Sequence, residues 1–468
     1  MDKQKMNLNL QRFQKITALL LLLILIPLWN TPHTIAGRYF CEGFLLILVF
    51  TYKSDWKTFF LANKALAFFF VYLFIQLIFF SKNYEIAFNN FRAEWMHFIL
   101  FSIIGAGVGQ LLEKWGSTKI LLFLGIAFSI PLYTHLILSS IKGVQINSIP
   151  WGYWGINEIH GDLGYTALQA SIFLFTYLLY QTKSRFLKLV TIILLAACIF
   201  SPLLASSRGG TGFVLIGILF ISLAYFFIGE GYKVSLRNKL IGAISVFILI
   251  AATYQIGLIN DPNRWGGIIS RVSLGFEGDP NKLYCEGIGT LESTLKSKGV
   301  AITPEIQKGL SSIVDGDGAR IMAARSGASL TIQNPMGIDQ SRQSYQQAIT
   351  KSCNIAPAIY ISHTHNAWID TALAIGIPGS ALLLLVLLTY LSKGWGALIS
   401  NMPSVTPFGM ALFASSFLWI LRGLLDSTQR DQMLEMQAFV LALLLGIIIA
   451  KGLKYKENKR TNVYKTIA

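Results

Sequence analysis

Residues 366–391 read NAWIDTALAIGIPGSALLLLVLLTYL, a continuous apolar stretch that carries one charged side chain, Asp370. An α-helix needs roughly 20 consecutive apolar residues to cross the hydrocarbon core of a bilayer. The apolar residues here are continuous rather than alternating, which favours a helix over a strand of an outer-membrane barrel. The stretch therefore predicts a membrane-spanning helix.

Similar apolar runs recur along the chain, and together they predict an all-α, polytopic integral membrane protein. Hydrophobic residues make up 53% of the sequence and charged residues only 13%, and the mean hydropathy is +0.55. This composition excludes a disordered chain, a nucleic-acid-binding domain and an ordinary soluble enzyme. We predict about twelve transmembrane helices, at 14–29, 36–52, 63–80, 94–112, 119–139, 164–181, 188–205, 211–229, 240–258, 366–391, 406–425 and 433–451.

The basic residues predict how these helices are oriented. The chain has 39 Lys and Arg residues against 23 Asp and Glu, a net charge of +16. With both termini in the cytoplasm, 22 of the 39 basic residues fall on the cytoplasmic side, as the positive-inside rule requires. The predicted organisation is nine transmembrane helices in 1–258, a large helical periplasmic loop in 259–365, three further transmembrane helices in 366–451, and a basic cytoplasmic tail in 452–468 that can contact anionic lipid.

The large loop between the ninth and tenth helices has helical signals of its own. They predict one helix starting at Pro304, one from about Ala319 to just before Asn334, and one over 340–351. Two of the four cysteines, Cys285 and Cys353, fall in this loop, where an oxidising compartment would allow a disulfide, although two separate thiols are the alternative. Cys41 and Cys198 fall in apolar runs and are expected to be buried thiols.

Polar groups that could carry chemistry gather at the predicted outer ends of the helices. An arginine fork can bind a phosphate at two points, so these arginines suit a substrate that carries a diphosphate. Arg208 could instead extend to lipid headgroups, and Arg325 is expected to be a solvated surface charge. The sequence has no ATP-binding loop and no third ligand at useful spacing from the His pair, so we expect no metal and no cofactor. The candidate site residues are Arg208, Arg320, His363, His365 and Arg422.

His365 has the most particular setting among them. It directly precedes Asn366, a residue suited to cap the tenth helix, and the positive end of a helix disfavours a protonated imidazole. Asp370, one turn into the helix, favours the protonated form. The sequence leaves open which of these two effects prevails.

The spacing after His365 carries a family resemblance. His365-Asn366, nine further residues and then Gly376-Ile377-Pro378-Gly379 resemble the signature H-[NSQ]-x9-G-x-x-G of the O-antigen ligase family. Arg320 and the later Asn334-Pro335-Met336-Gly337 are similar to that family's R…P-x-x-G-[VI]-G segment. Here Ala324 replaces an aromatic residue and Asp339 replaces the second glycine. Ser206-Ser207-Arg208-Gly209 resembles the segment around the family's first arginine.

The resemblance implies an inverting, metal-independent glycosyl transfer at the periplasmic face of the bacterial inner membrane. The donor would be a glycan on undecaprenyl diphosphate and the acceptor a sugar hydroxyl of lipid A–core. Arg208 and Arg320 would bind the diphosphate, with His363 and Arg422 in the substrate-binding set, and His365 would be the catalytic base. O-antigen polymerases and protein O-oligosaccharyltransferases are similar in plan. A membrane transporter is a more distant alternative.

Overall fold

The computed structural model describes residues 3–31, 33–52, 54–113, 117–152, 160–181, 184–228, 234–311, 313, 316–400 and 402–467. The structure is 81% helical, and no strand occurs among the described residues. Its helices are α1 Lys3–Leu28, α2 Ile35–Thr51, α3 Trp56–Ala62, α4 Lys64–Phe79, α5 Tyr84–Asn90, α6 Met96–Leu112, α7 Ser117–Ile146, α8 His160–Gln181, α9 Arg185–Leu204, α10 Arg208–Phe227, α11 Leu236–Asn260, α12 Pro262–Trp265, α13 Ile268–Gly275, α14 Pro280–Glu286, α15 Gly289–Ser297, α16 Pro304–Ser311, α17 Asp317–Gln333, α18 Ser344–Cys353, α19 Ala367–Leu398, α20 Thr406–Gly423 and α21 Asp431–Ile467, and a π-helical turn, Phe91–Trp95, joins α5 to α6.

The apolar runs form the helices that the sequence predicts, and the chain is a polytopic membrane protein. Within the described ranges, nine helices are long and apolar enough to cross a membrane, or ten if the bent pair α2 and α3 counts as one span. The predicted basic tail continues α21 as a helix to Ile467. Several residues used to predict the orientation and the loop helices lie outside the described residues, namely Lys53, Lys114, Lys183, Lys233, Asp315 and Ala468.

Small residues bring the backbones of α6 and α21 together. A Cβ on Gly105 would overlap the carbonyl oxygen of Phe439, and a Cβ on Gly446 would overlap that of Ala106. Lipid chains are as apolar as leucine, so tight van der Waals packing of this kind is what holds membrane helices together. This pair forms the centre of the bundle, and the segment 261–366 lies at one end of it, which we call the loop face.

Helices α12–α18 on the loop face have a core of their own. Leu283, Tyr284, Met322, Tyr345 and Ile349 are at most 1% exposed and pack into one cluster. A disulfide between Cys285 and Cys353 joins α14 to α18, with 5.2 Å between their Cα atoms. The predicted pairing is therefore confirmed in the structure, as is the burial of Cys41 and Cys198.

One predicted helix boundary in this segment is wrong. The helix expected over 340–351 begins only at Ser344 and ends at Cys353. Residues before it cannot be helical because Gly337, Asp339 and Gln340 have φ angles of 86°, 47° and 52°. The amides of Ile338 and Gln340 instead donate to carbonyls of α19, those of Leu373 and Ala374.

The segment that follows α17 interlocks with a break in α19. Gly376 has φ 85° and ψ 162° inside α19, so the helical hydrogen bonds are interrupted there. The Ile377 amide donates to the Pro335 carbonyl at 2.8 Å, and the Ile338 amide donates to the Leu373 carbonyl at 2.8 Å. A Cβ on Gly337 would lie 2.5 Å from the Gly376 nitrogen, so both positions require glycine. This interlock sets the position of α17 against α19.

Candidate active site

Arg320 and His365 line one cavity on the loop face. Arg320 is on α17 and His365 is in the turn before α19, so the interlock between these helices brings the two side chains together. The cavity has a volume of about 290 Å³. Its other lining residues are Gly316, Ala319, Tyr360, Ile361 and Ser362. The Arg320 side chain is exposed and its Nη1 donates to the Leu425 carbonyl at 3.3 Å.

The turn that carries His365 is held by the start of α19. The Asn366 side chain accepts from the amides of Trp368 and Ile369, each at 3.1 Å, so the predicted cap is confirmed. His365 itself has φ 54°, a left-handed conformation that costs a residue with a Cβ on the order of 1–2 kcal/mol. Strain of this kind persists only where neighbouring contacts enforce it.

The carboxylate of Asp370 organises this turn. It accepts from the Thr364 amide at 2.9 Å, from the Thr364 hydroxyl at 2.8 Å and from the Ser427 hydroxyl at 2.5 Å. These three hydrogen bonds use both carboxylate oxygens of Asp370, so this side chain stabilises the turn next to His365. The acidic residue that acts on the His365 charge is Asp426 instead.

The protonation question left open by the sequence has an answer in the structure. Burial lowers the pKa of His365 to about 3, and the neighbouring His363 and Arg320 act in the same direction against Asp426. The ring is therefore neutral at pH 7. Its Nδ1 is buried and has no hydrogen-bond partner among the described residues. A neutral imidazole with an unengaged buried nitrogen can exchange a proton with a bound molecule.

His363 lies against His365, with 4.2 Å between the ring centroids. Its Nδ1 and the Ser362 hydroxyl are 2.7 Å apart. Burial lowers the pKa of His363 as well, with Asp370 opposing the shift. Within the part of the chain that the structure describes, no three His, Cys, Asp or Glu side chains come together as a candidate metal site.

Arg208 is joined to the same wall of the cavity through Asp317. Its Nη1 and Nη2 donate to the two carboxylate oxygens of Asp317 at 3.1 and 2.9 Å. Asp317 is the first residue of α17, and Arg320 lies one turn further along. Arg208 thus pairs with a carboxylate rather than extending to lipid headgroups. It does not itself line the cavity of Arg320 and His365.

Two further arginines lie close to Asp317, and the sequence did not indicate either of them as a site residue. The Arg271 Nε donates to the Asp317 carboxylate at 3.2 Å. Burial lowers the pKa of Arg264, and the positive charges of Arg208 and Arg320 lower it further, which shows that these side chains are close in space. The sequence around them is a weak indication of a site, because both residues follow the end of α11 but neither belongs to a recognisable motif.

Arg422 lies buried between the membrane helices beside the site. It is 1% exposed, and its guanidinium carbon lies 3.5 Å from the centre of the Tyr165 ring. Its Nη2 is 3.7 Å from an Asp426 carboxylate oxygen. Burial would raise the pKa of Asp426, but the charges of Arg422 and Arg320 outweigh it and hold that pKa below its usual value. Arg422 does not line the cavity and acts on it through Asp426.

Arg325 is not the solvated surface charge that the sequence suggested. Its guanidinium donates to three backbone carbonyls, those of Gly275, Glu277 and Gly278, at 3.1, 3.3 and 2.9 Å. The Gly275 carbonyl is the last of α13 and the other two follow it, and the end of a helix leaves such carbonyls without amide partners within the helix. Arg325 therefore fastens α17 to the end of α13.

Comparison with known proteins identifies no family. No protein-family model matches the chain, and no curated protein matches it either. What points to a function is thus the arrangement of the site residues and the motif segments that hold them.

Proposed function

We propose that the protein is an O-antigen ligase, an inverting glycosyltransferase that moves a glycan from undecaprenyl diphosphate to lipid A–core. One observation carries the proposal. The two segments that resemble the family's motifs, around Gly337 and Gly376, are the two halves of one interlock. That interlock places Arg320 and His365, the charged and the proton-accepting residue of those motifs, on one cavity.

The chemistry follows from the charges around this cavity. The acceptor hydroxyl oxygen forms a bond to the anomeric carbon of the donor sugar, and the bond from that carbon to the diphosphate oxygen breaks. The leaving undecaprenyl diphosphate needs its charge stabilised, and Arg320 and Arg208 supply positive charge without a metal. A single displacement of this kind inverts the anomeric centre.

His365 takes the proton of the acceptor hydroxyl. In the unliganded site its pKa of about 3 makes it a weak base. Burial and the charge of Arg320 are among the causes, and a diphosphate bound to Arg320 would offset that charge. Donor binding therefore raises the basicity of His365, so that proton transfer is coupled to the presence of the leaving group. His363, whose ring packs at a tilt against that of His365, completes this wall of the site and can contact the donor phosphate.

The same proposal sets the membrane arrangement. We count α2, α4 and α20 as crossings beside the nine candidate spans of the described residues, which makes twelve. The distribution of basic residues then orients the loop face to the periplasm, with both termini inside. The protein is a multi-pass protein of the bacterial inner membrane, and its long lipid-linked donor enters sideways from the bilayer. No nucleic acid takes part.

Deleting the gene and analysing the lipopolysaccharide tests this function. A ligase null accumulates lipid-linked polymer while its lipid A–core stays bare. A polymerase null instead leaves single repeat units on the core, and a protein O-oligosaccharyltransferase null changes glycoproteins only. Complementation with the His365→Ala variant should fail although the variant reaches the membrane in normal amount.

A transporter is the second candidate, and one feature favours it. Two pairs of ionisable residues are largely buried among the membrane helices: Arg38 with Glu435 at 2.8 Å and His97 with Glu42 at 3.0 Å. Ionisable residues inside a membrane commonly mark a path for protons or solutes. If Glu42→Gln abolishes function while His365→Ala leaves it intact, the transporter is right and the glycosyltransferase is wrong.

A further inference from the structure

Asp317 holds together a group of arginines that carries more positive than negative charge. Its carboxylate accepts two bonds from Arg208 and one from Arg271. Arg264 and Arg320 add their charges to the same region. The nearby carboxylate of Asp261 opposes Arg264 and that of Asp426 faces Arg320, so four arginines face three acids. Such an excess of partly desolvated positive charge favours the binding of an anion.

The geometry around Asp317 resembles that of a bound phosphate. A planar guanidinium that makes two parallel bonds to a carboxylate can make the same two bonds to phosphate oxygens. The second arginine, Arg271, donates through its Nε to the Asp317 Oδ2 that also accepts from Arg208, while its Nη2 donates to the Arg264 carbonyl at 3.1 Å. We infer that Arg208 and Arg271 form a phosphate-binding site in which the Asp317 carboxylate occupies the place of the phosphate, and that a phosphate group of the donor displaces it.

Asp317 lies beside the cavity, so its carboxylate can turn away from the arginines and a phosphate can reach them from the cavity. Gly316 and Ala319, on either side of it in the chain, line the cavity shared with His365. The side chains of Arg208, Asp317 and Arg271 are 23%, 22% and 14% exposed, so the site is reachable. A diphosphate can thus contact Arg320 from the cavity and reach Arg208 and Arg271 once Asp317 has turned away.

The movement required is a rotation of one side chain. The backbone of α17 is held close to α13, since a Cβ on Gly318 would lie 2.7 Å from the Arg271 carbonyl oxygen. Arg325, about two turns further along α17, donates to carbonyls at and just after the end of α13. With the helix held at both points, Asp317 can leave the arginines without moving Arg320. This inference rests on the proposed function, because that function supplies the diphosphate.

The test measures binding of diphosphates to the purified full-length protein in nanodiscs. The probes are undecaprenyl diphosphate, inorganic diphosphate and, as a lipid headgroup phosphate, phosphatidylglycerol in the disc. Asp317→Asn keeps a hydrogen-bond acceptor but removes the competing charge, so it should bind the two diphosphates about tenfold more tightly than wild type. Arg271→Gln should bind them about tenfold more weakly. If phosphatidylglycerol rather than diphosphate shows these changes, the site holds lipid headgroups and the donor assignment is wrong.

A matched control comes from Asp279. This residue caps α14 through the amides of Asn281 and Lys282 and contacts none of the arginines. Asp279→Asn changes the net charge by the same amount and should leave the affinity unchanged. If wild type binds diphosphate and Asp317→Asn binds it no more tightly, or Arg271→Gln binds it equally well, the inference is wrong while the proposed function stands. If wild type binds no diphosphate, both are wrong.

Discussion

The amide of Ile377 donates a 2.8 Å hydrogen bond to the carbonyl of Pro335, and this bond joins the end of one motif segment to the break in the other. The break frees backbone groups of α19 inside a candidate membrane span, where unpaired groups are costly. The segment after α17 supplies partners for them. The interlock therefore serves both the stability of the membrane helix and the placement of Arg320 opposite His365.

Replacing either glycine of the interlock should damage the fold locally. Gly376→Ala forces a Cβ into a position with φ 85° and 2.8 Å from the Met336 carbonyl carbon, which should destabilise the protein by about 1–3 kcal/mol. Thermal unfolding of the purified protein in detergent measures the loss. Gly396→Ala, in the same helix with open space around it, should unfold at the wild-type temperature. Equal unfolding temperatures for both variants would argue against the interlock.

Of the two histidines, we expect His365 to be the catalytic base. His365→Ala should abolish glycan transfer by the purified protein in lipid, and His365→Gln should not restore it, because an amide cannot take the proton. EDTA should leave the wild-type activity intact. A dead His363→Ala with an active His365→Ala would reverse the assignment, and loss of wild-type activity in EDTA would exclude the metal-free mechanism.

The low pKa of His365 predicts an unusual pH profile. A histidine with an ordinary pKa near 6.5 would be almost fully protonated at pH 5 and inactive as a base. Because burial lowers the pKa of His365 to about 3, the free enzyme keeps its base neutral at that pH. The kcat/KM for the donor, which reports the free enzyme, should therefore show no loss attributable to this group between pH 7 and pH 5. A fall centred near pH 6.5 that persists in His363→Ala would contradict the structure.

The two arginines that resemble the family's pair should each contribute to transfer. Changing Arg208 or Arg320 to Ala should lower kcat/KM by the equivalent of roughly 2–4 kcal/mol, the loss expected for one charge-stabilising donor. Lysine at either position should restore only part of it, since a point charge cannot make the two-point contact. If Arg320→Ala is expressed normally and transfers glycan with wild-type kinetics, Arg320 does not bind the donor diphosphate.

Arg325 should matter for stability rather than for chemistry. Arg325→Ala leaves the carbonyls of Gly275 and Gly278 without a donor, so it should destabilise the loop-face domain by about 1.5–3 kcal/mol. Thermal unfolding again measures the change. Lys351→Ala removes an exposed positive charge from the same segment and should be nearly neutral. If Arg325→Ala unfolds at the same temperature as Lys351→Ala, Arg325 contributes no more to stability than a solvated surface charge.

The disulfide should add stability to the same segment. Non-reducing mass mapping should find Cys285 linked to Cys353, which are 68 residues apart in the chain. A cross-link over a loop of this length typically stabilises by about 2–4 kcal/mol, mainly by restricting the unfolded chain. The double variant Cys285→Ala/Cys353→Ala should therefore unfold at a lower temperature. Free reaction of both thiols with maleimide in unreduced protein would show that the bond does not form.

The sequence alone was enough to place the long apolar helices, but not the short helices α13, α14 and α15. Inside a bilayer the backbone amides and carbonyls of a long apolar run have no water to bond, so they pair with each other within the run. Each predicted run accordingly lies in a helix. Local capping was equally readable, because Asn366 needs only the amides two and three residues ahead of it. The helix around Arg320 was placed within a few residues for the same reason.

The contacts between distant segments could not be read in this way. Asp317 lies 109 residues from Arg208 and 46 from Arg271, and nothing in either neighbourhood indicates that they meet. The low pKa of His365 likewise depends on burial and on Arg320, which only the folded chain brings near. Hydrophobic length and capping act between neighbours in sequence, whereas charge pairing and desolvation depend on which side chains the packing of helices leaves face to face.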